Sequence, residues 1–453
     1  MSKKIAFLGA GSVGFTRGLV ADIISYPAFE DATIALMDVN KERLDMAKKS
    51  VERIVEYFNK PVKIVATTSR KEALQGADGV LITILAGGVQ VWRHDIEIPK
   101  KYGVDINVGD TRGGSGVFRA LRTIPVMLDI CKDIARYCPE AIVLNYTNPM
   151  AMLCRAMQAA YPKLNITGLC HSVQGTSREM AELIHAPYNE ITYLCAGINH
   201  QSWFLTFDWK GKDAYPLLRK AVEEKKNYYS DVVRIEMFRH MGYYVTESSG
   251  HNSEYVAWFR KRPELIKKYC GGKAGSWNPG AYAFILKMYL GREKRVNGMP
   301  LWKKEVIDWI KSDKVSKLGG KLEYAANIFN AVFGDNNIFE FNGNVRNFNL
   351  IDNLPYGCCV EVPVEASRNG LRPVHVGALP AHLALLNNIS ARCEELAVEG
   401  ALSGEPNKVY QAVYFDPLTS AVLSLEEINR MVYELFMASK AYLPQFKNYR
   451  LKY

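Results

Sequence analysis

The opening forty residues constrain the fold more than any other part of the chain. Lys4-Ile5-Ala6-Phe7-Leu8 is a compact apolar strand, followed by Gly9-Ala10-Gly11-Ser12-Val13-Gly14 and a helical pattern through Leu19, Val20, Ile23 and Ile24. A second strand, Thr33 to Met37, ends at Asp38. In this order the glycines permit a tight turn and close backbone approach, Ser12 opens the helix, and the helix N-terminus faces a pyrophosphate. The acid after the second strand suits adenosine ribose hydroxyls, which points to NAD rather than NADP. The expected fold is α/β, with an N-terminal Rossmann-type dinucleotide-binding domain and a second mixed α/β domain, as in the lactate and malate dehydrogenases.

The pattern continues along the chain. A helix over 41–58, a strand near Val62 to Ala66, a short helix over Arg70 to Gln75 and a buried strand over Gly79 to Leu85 are expected, with Ala86-Gly87-Gly88 turning off its end. Asp110 and Arg112 fall on a turn after Val104 to Val108 and before a helix through Ile134. They are site candidates, with a solvated loop as the alternative. A strand over Ala141 to Leu144 leads into Asn145-Tyr146-Thr147-Asn148-Pro149. Dehydrogenases often carry Asn-Pro here, with the asparagine near nicotinamide and substrate; Pro149 also biases Asn148 towards an extended conformation, so a structural turn is the alternative.

A chain of 453 residues exceeds what one core usually supports. The pattern changes near residue 200, which divides it into residues 1–200 for the coenzyme and 201–453 for substrate and oligomer formation. The second part opens on aromatic strands such as Trp203 to Phe207 and carries polar clusters at Val245 to Tyr255, Asn342 to Asn347 and Ile351 to Pro355. Gly271 to Gly280 has the composition of a mobile loop.

Two short apolar runs near the junction end in Cys170-His171 and Asn199-His200. Cys170 with His200 can hold a divalent metal, and His171 can move a proton. Two ligands do not close a structural site, so such a metal keeps positions open for substrate oxygens. The alternative is a buried cysteine and two satisfied histidines. Nine cysteines, an odd and scattered set, suit reduced thiols in a cytoplasmic enzyme. No apolar run is long enough to span a membrane. The net charge of +10 comes from lysine runs without a nucleic-acid motif, which excludes nucleic acid as the partner.

Together these features resemble glycoside hydrolase family 4, and within it the NAD- and Mn²⁺-dependent α-galactosidases. The motifs that carry the resemblance span nearly the whole chain. They are the glycine turn, R-A-L-R-T-I-P from Arg119, N-Y-T-N-P-M-A-M from Asn145, C-H-S-V-Q-G-T from Cys170, C-A-G-I-N-H from Cys195, V-T-E-S-S-x-H from Val245, and N-V-R-N with L-I-D-N-L-P-x-G-C-C-V-E-V between Asn344 and Val362. The family is an exception to two-carboxylate glycoside hydrolysis. The resemblance implies that NAD takes hydride from sugar C3, that a base removes the acidified C2 proton, and that the aglycone leaves before water adds and C3 is reduced again. It implies Mn²⁺ on Cys170 and His200, coenzyme contacts from Gly9, Gly11, Ser12, Gly14, Asp38 and Asn148, and His171 as the residue protonating the leaving oxygen. Tyr255 and His251 are the candidates for the C2 base, and Asp110, Arg112, Asn148, Asn199 and Arg346 for sugar binding.

One departure bears on the substrate. Related α-galactosidases usually read D-T-x-G-P-G-G where this chain has Asp110-Thr111-Arg112-Gly113-Gly114-Ser115-Gly116, and Arg112 offers a fork suited to carboxylate or phosphate. An α-galacturonidase, α-glucuronidase or α-glucosidase of the family is therefore the alternative, ahead of an ordinary NAD-dependent sugar or 2-hydroxy-acid dehydrogenase or a silent NAD-binding protein. The partners expected are a small-molecule α-glycoside and further copies of the chain, as a homodimer or homotetramer.

Overall fold

The computed structural model describes residues 2–271, 278, 280–320 and 323–452. Its parallel strands are β1 (Lys4–Leu8), β2 (Thr33–Met37), β3 (Lys63–Thr67), β4 (Gly79–Ile82), β5 (Ile142–Asn145) and β6 (Asn165–Leu169). They lie in the order β3-β2-β1-β4-β5-β6, the doubly wound Rossmann arrangement. Near-continuous apolar runs such as Val80-Leu81-Ile82, none of them exposed, reflect helices covering both faces. Burying each such side chain contributes about 2 kcal/mol.

The sheet does not end at β6. β7 (Ile191–Ile198), β8 (Gln201–Trp209) and β9 (Lys212–Asp213) extend it, together with β12 (Phe339–Arg346) and β13 (Cys359–Ser367), to which β14 (Gly370–Pro373) pairs. The outer order is β6-β12-β13-β7-β8-β9, and β12 joins β6 antiparallel at Gly343 and Asn344. A separate ladder of β10 (Arg295–Val296) and β11 (Met299–Pro300) links the helix Phe284–Glu293 to the helix Leu301–Ile310. The hydrophobic clusters on the two faces draw side chains from both halves of the sequence.

β1, β2 and the helix Lys41–Phe58 occupy the residues expected of them. Five other elements shift, among them the short helix expected over 70–75, which ends at Leu74. The strand expected over 79–85 stops at Ile82, where its neighbour β1 ends at Leu8 and the chain turns away at Gly9. β3 and β5 each sit one residue later than expected, and the helix begun at Gly113 runs on to Tyr137 with Pro125 inside it. Apart from Gly271, Asn278 and Gly280, the stretch expected to form a mobile loop lies outside the described residues. Among the described residues no helix is long and apolar enough to cross a membrane.

Candidate active site

The C-terminal ends of β1, β2, β4, β5 and β6 open into one cleft of about 1440 Å³. At its coenzyme end the backbone makes the site. Gly9 has φ +90°, and a Cβ there would lie 2.3 Å from the Thr83 carbonyl oxygen, so only glycine fits. The Gly11 amide donates to Asp38 Oδ2 at 2.7 Å, and the Asn40 amide to Oδ1 at 2.8 Å. Ser12 provides no side-chain cap to the helix Val13–Ile24, whose first turn carries no acid. A Cβ on Gly14 would meet nothing within 4 Å. An uncapped helix end beside the open Gly14 fits a pyrophosphate, so the residues present fit a dinucleotide.

The other end is built from ionisable side chains. Cys170 follows β6 directly, and His200 occupies the two-residue turn between β7 and β8 with φ +63°. Glu247, also in the left-handed region at φ +70°, approaches from the segment bridged to β8 at Val245. Their Sγ, imidazole nitrogen and carboxylate oxygen lie within 4.8 Å of one another. A thiol, an imidazole and a carboxylate form a donor set that fits a divalent transition metal. Two non-glycine residues in a costly backbone conformation, both facing one point, fit a functional constraint there. A second triad shares His200 and adds Asp110 and His251.

The charges are set by neighbours. Burial opposes ionisation of Asp110, but His251, His200 and Arg119 outweigh it and hold the carboxyl at about 2. Glu247 likewise stays below its ordinary range despite burial, because His251 and His200 flank it. Burial lowers His200, keeping the ring neutral as a metal ligand requires. Burial, with Glu361 and Glu247 close by, raises the Cys170 thiol, so a cation must displace its proton to gain a thiolate. His200 Nδ1 is engaged by Thr111 Oγ1 at 2.8 Å and Tyr255 Oη at 3.1 Å, while Nε2 faces Glu247 at 3.5 Å. Anchoring one ring nitrogen orients the other for ligation.

The structure brings most of the expected residues together. Asn148, whose peptide to Pro149 is cis, lines the cleft and donates from Nδ2 to Asp110 Oδ2 at 2.9 Å. His171 also lines it, with Nε2 2.7 Å from Glu323 and its ring against Phe15 and Tyr146. Burial works against the charged ring, but the Glu323 carboxylate leaves His171 above the ordinary histidine value. His251 faces the cleft, held by Ser248 Oγ at 2.8 Å and Glu247 at 3.2 Å.

Four expected residues are placed elsewhere. The fork of Arg112 meets a carboxylate of this chain instead of a substrate's. Its Nε donates to Glu394 at 2.9 Å, its Nη2 to the Asn199 carbonyl at 2.6 Å, and its guanidinium covers the Tyr255 ring. Asn199 is buried within the β7–β8 turn, outside the cleft lining. Tyr255 is buried behind His200, and burial, with Asp110 and Glu254 nearby, pushes its phenol well above the ordinary value. Arg346 bonds the Gly357 carbonyl, stacks on Phe348 and does not line the cleft.

Sequence reasoning passed over Glu247, Glu323 and Arg119. Glu247 lay inside a polar cluster already noted, and its acid three residues before the apolar-poor segment Gly250-His251 was the available signal. Arg119 lines the cleft, stacks on Trp92 at 4.7 Å, donates to the Asn148 carbonyl at 3.2 Å, and leaves Nη1 buried without a hydrogen-bond partner among the described residues.

A Rossmann-type α/β sheet whose strand ends join a dinucleotide turn to a cysteine, histidine and glutamate cluster defines a narrow class of protein. The chain belongs to the family 4 glycosyl hydrolases: the family model matches residues 4–186 and the model of its C-terminal domain residues 195–419. It is 38% identical to an alpha-galactosidase of Bacillus subtilis (strain 168), over 98% of this chain and 100% of that protein. An alpha-galactosidase of Rhizobium meliloti (strain 1021) is 35% identical, over 98% of this chain and 90% of that protein. Among solved structures, a 6-phospho-alpha-glucosidase from gut microorganisms, in complex with NAD and Mn²⁺, shares the fold with a TM-score of 0.81. That match is 21% identical and covers 99% of this chain and all of that one.

Proposed function

We propose that the chain hydrolyses α-galactosides by a redox elimination and addition cycle, using NAD and a divalent cation, Mn²⁺ first among them. The observation that carries this reading is the meeting of the Gly9–Gly14 turn and Asp38 with the Cys170, His200 and Glu247 cluster in one cleft that Asn148 also lines. The α-galactosidase relatives support the sugar, and the NAD and Mn²⁺ of the structural neighbour support the cofactors. When bound, NAD accepts and returns the C3 hydride, and the cation polarises sugar O2 and O3 as a Lewis acid.

In this reading the glycine turn takes the pyrophosphate, Asp38 the ribose, and Cys170, His200 and Glu247 the cation. Asn148 and the ionised Asp110 position the sugar hydroxyls by hydrogen bonding. His171, sustained by Glu323, gives its proton to the leaving oxygen. His251 takes the C2 proton, because its ring faces the cleft while the Tyr255 oxygen is engaged behind His200. Residues 1–200 supply the glycine turn, Asp38 and most of the cation ligands, and 201–453 add Glu247 and His251 on the sugar side and the 293–302 segment beside the coenzyme.

The free cysteines fit a reducing, cytoplasmic setting. The solvent-facing ring pair of Phe348 and Tyr356 is the kind of apolar surface that a homodimer or homotetramer covers. One observation favours an α-galacturonide as the second reading: the unpartnered Arg119 Nη1 in the cleft could take a carboxylate. The test is hydrolysis of p-nitrophenyl α-galactoside beside the α-galacturonide, with NAD⁺, Mn²⁺ and a thiol reductant. Galactose released without net NADH, and lost with chelator, is expected; faster cleavage of the uronide would transfer the assignment to the second sugar, and net NADH would exclude both.

A further inference from the structure

At the adenosine end of the cleft Asp38 has a cationic neighbour. A Cβ on Gly11 would lie 2.6 Å from Asp38 Oδ2 and 2.8 Å from Arg43 Cβ, so the carboxylate and the stem of Arg43 crowd the same point. The two side chains favour opposite coenzymes. A carboxylate accepts hydrogen bonds from a free 2′-hydroxyl, whereas an arginine accommodates a 2′-phosphate. A site with both is ambiguous unless something withdraws one of them.

The segment from the other half of the chain withdraws Arg43. Its Nη2 lies 2.7 Å from Glu293 Oε1, and its guanidinium lies 4.2 Å over the Trp302 ring. Glu293 ends the helix Phe284–Glu293, Trp302 stands second in the next helix, and the β10–β11 ladder between them fixes their spacing. A second pair, Lys303 to Glu42 at 2.6 Å, fastens the same segment to the helix that bears Arg43. Arg43, Glu293, Pro300 and Trp302 all line the cleft. Asp38, Glu42 and Glu293 are set against Arg43 and Lys303, and Arg70, which also lines the cleft, is taken up by Asp129 and Asp133, so Glu293 adds to the negative charge that opposes a dianionic 2′-phosphate.

We infer that Glu293 is a coenzyme-specificity residue: by occupying the fork of Arg43 across the face of Trp302, it leaves Asp38 alone to read the ribose and selects NAD against NADP. This rests on the reading of the cleft as an NAD site. A purely structural pair would fasten the 293–302 segment without altering the ratio of the two affinities.

Calorimetric titration of the full chain with NAD⁺ and with NADP⁺ separates the two roles without using turnover. Glu293→Gln and Glu293→Ala should each tighten NADP⁺ roughly three- to fivefold and change NAD⁺ by less than about twofold, the size of one partly solvated ion pair. Adding Arg43→Leu to either variant should remove the gain, because the released guanidinium is what meets the phosphate. An unchanged ratio in both Glu293 variants, with NAD⁺ binding intact, would overturn the inference alone. A gain that survives Arg43→Leu would overturn it too. A wild-type chain that binds neither coenzyme would overturn the NAD reading beneath it.

Discussion

The two ends of the cleft are built by different physical means. The coenzyme end relies on backbone: Gly9 in the left-handed region against the Thr83 carbonyl, an uncapped helix, and one carboxylate held by the Gly11 and Asn40 amides. The other end relies on buried ionisable groups from four separate segments, each with its charge set by the others. Steric exclusion governs the first end and charge compensation the second. Substitutions at the two ends should therefore fail in different ways, one through folding and coenzyme affinity, the other through metal affinity and turnover with the fold retained.

The largest contrast is expected from Cys170→Ser. Replacing a soft, ionisable thiolate by a hydroxyl should weaken the divalent metal by about 100-fold or more and abolish turnover. Unfolding of the metal-free chain should be little changed. Metal titration and chemical denaturation measure the two quantities, and full metal-dependent turnover in the variant would remove Cys170 from the cation site. Glu247→Gln sharpens the same point: a loss of metal affinity of about 100-fold or more is expected if the cation takes the Cys170 triad, against about tenfold if it takes Asp110, His200 and His251, where Glu247 only flanks the two imidazoles.

At the other end, Gly9→Ala should act on the fold. A left-handed φ and a Cβ 2.3 Å from a carbonyl oxygen together cost about 4 kcal/mol, read from the denaturant midpoint. A variant as stable as the parent would mean that this turn is not sterically closed.

Between the two ends in size is a pH effect from Glu361. Burial raises this carboxyl to about 7, against the bonds it accepts from Ser202 and Asn344, and the nearby Glu247 raises it further. The folded chain keeps the proton that the unfolded chain loses near 4.5. Stability is thus fully present below about 4.5, falls as pH rises to about 7, and levels above, by on the order of 3 kcal/mol in the metal-free protein. Glu361→Gln should flatten that slope, and an unchanged slope would exclude Glu361 as its source.

The smallest effect is expected from Asp38→Arg. Losing the carboxylate that takes ribose hydroxyls should weaken NAD by about tenfold and, where preference shifts, shift it towards NADP. Unchanged NAD affinity would place Asp38 away from the ribose.

The contrast between the ends also explains what could be read from the sequence. β1, the glycine turn, β2 and Asp38 are contiguous, so apolar runs and glycine spacing announce them within forty residues. Cys170 and His200 were visible because each closes a short strand. Glu247 was not, since it reaches His200 only through a left-handed turn and a bridge between Trp203 and Val245, which no local periodicity encodes. Arg112 illustrates the opposite error. Its fork looked available on a turn, but its partner Glu394 stands on the helix Ala381–Ser403, far along the chain, and nothing near Arg112 signals that pairing. Tyr255 and His251 share one short helix, and only the packing of Thr111 and Arg112 places the first behind His200 and the second in the cleft.

The central claim, elimination through a C3 ketone, is tested most directly by isotope exchange at C2. A displacement at C1 leaves the C2 hydrogen in place, whereas the proposed cycle removes it and lets the base exchange with solvent. Hydrolysis of an α-galactoside in D₂O, with NAD⁺ and Mn²⁺, should release galactose carrying deuterium at C2, and His251→Ala should lose that exchange together with turnover. Galactose released at full rate with no deuterium at C2 would contradict the account.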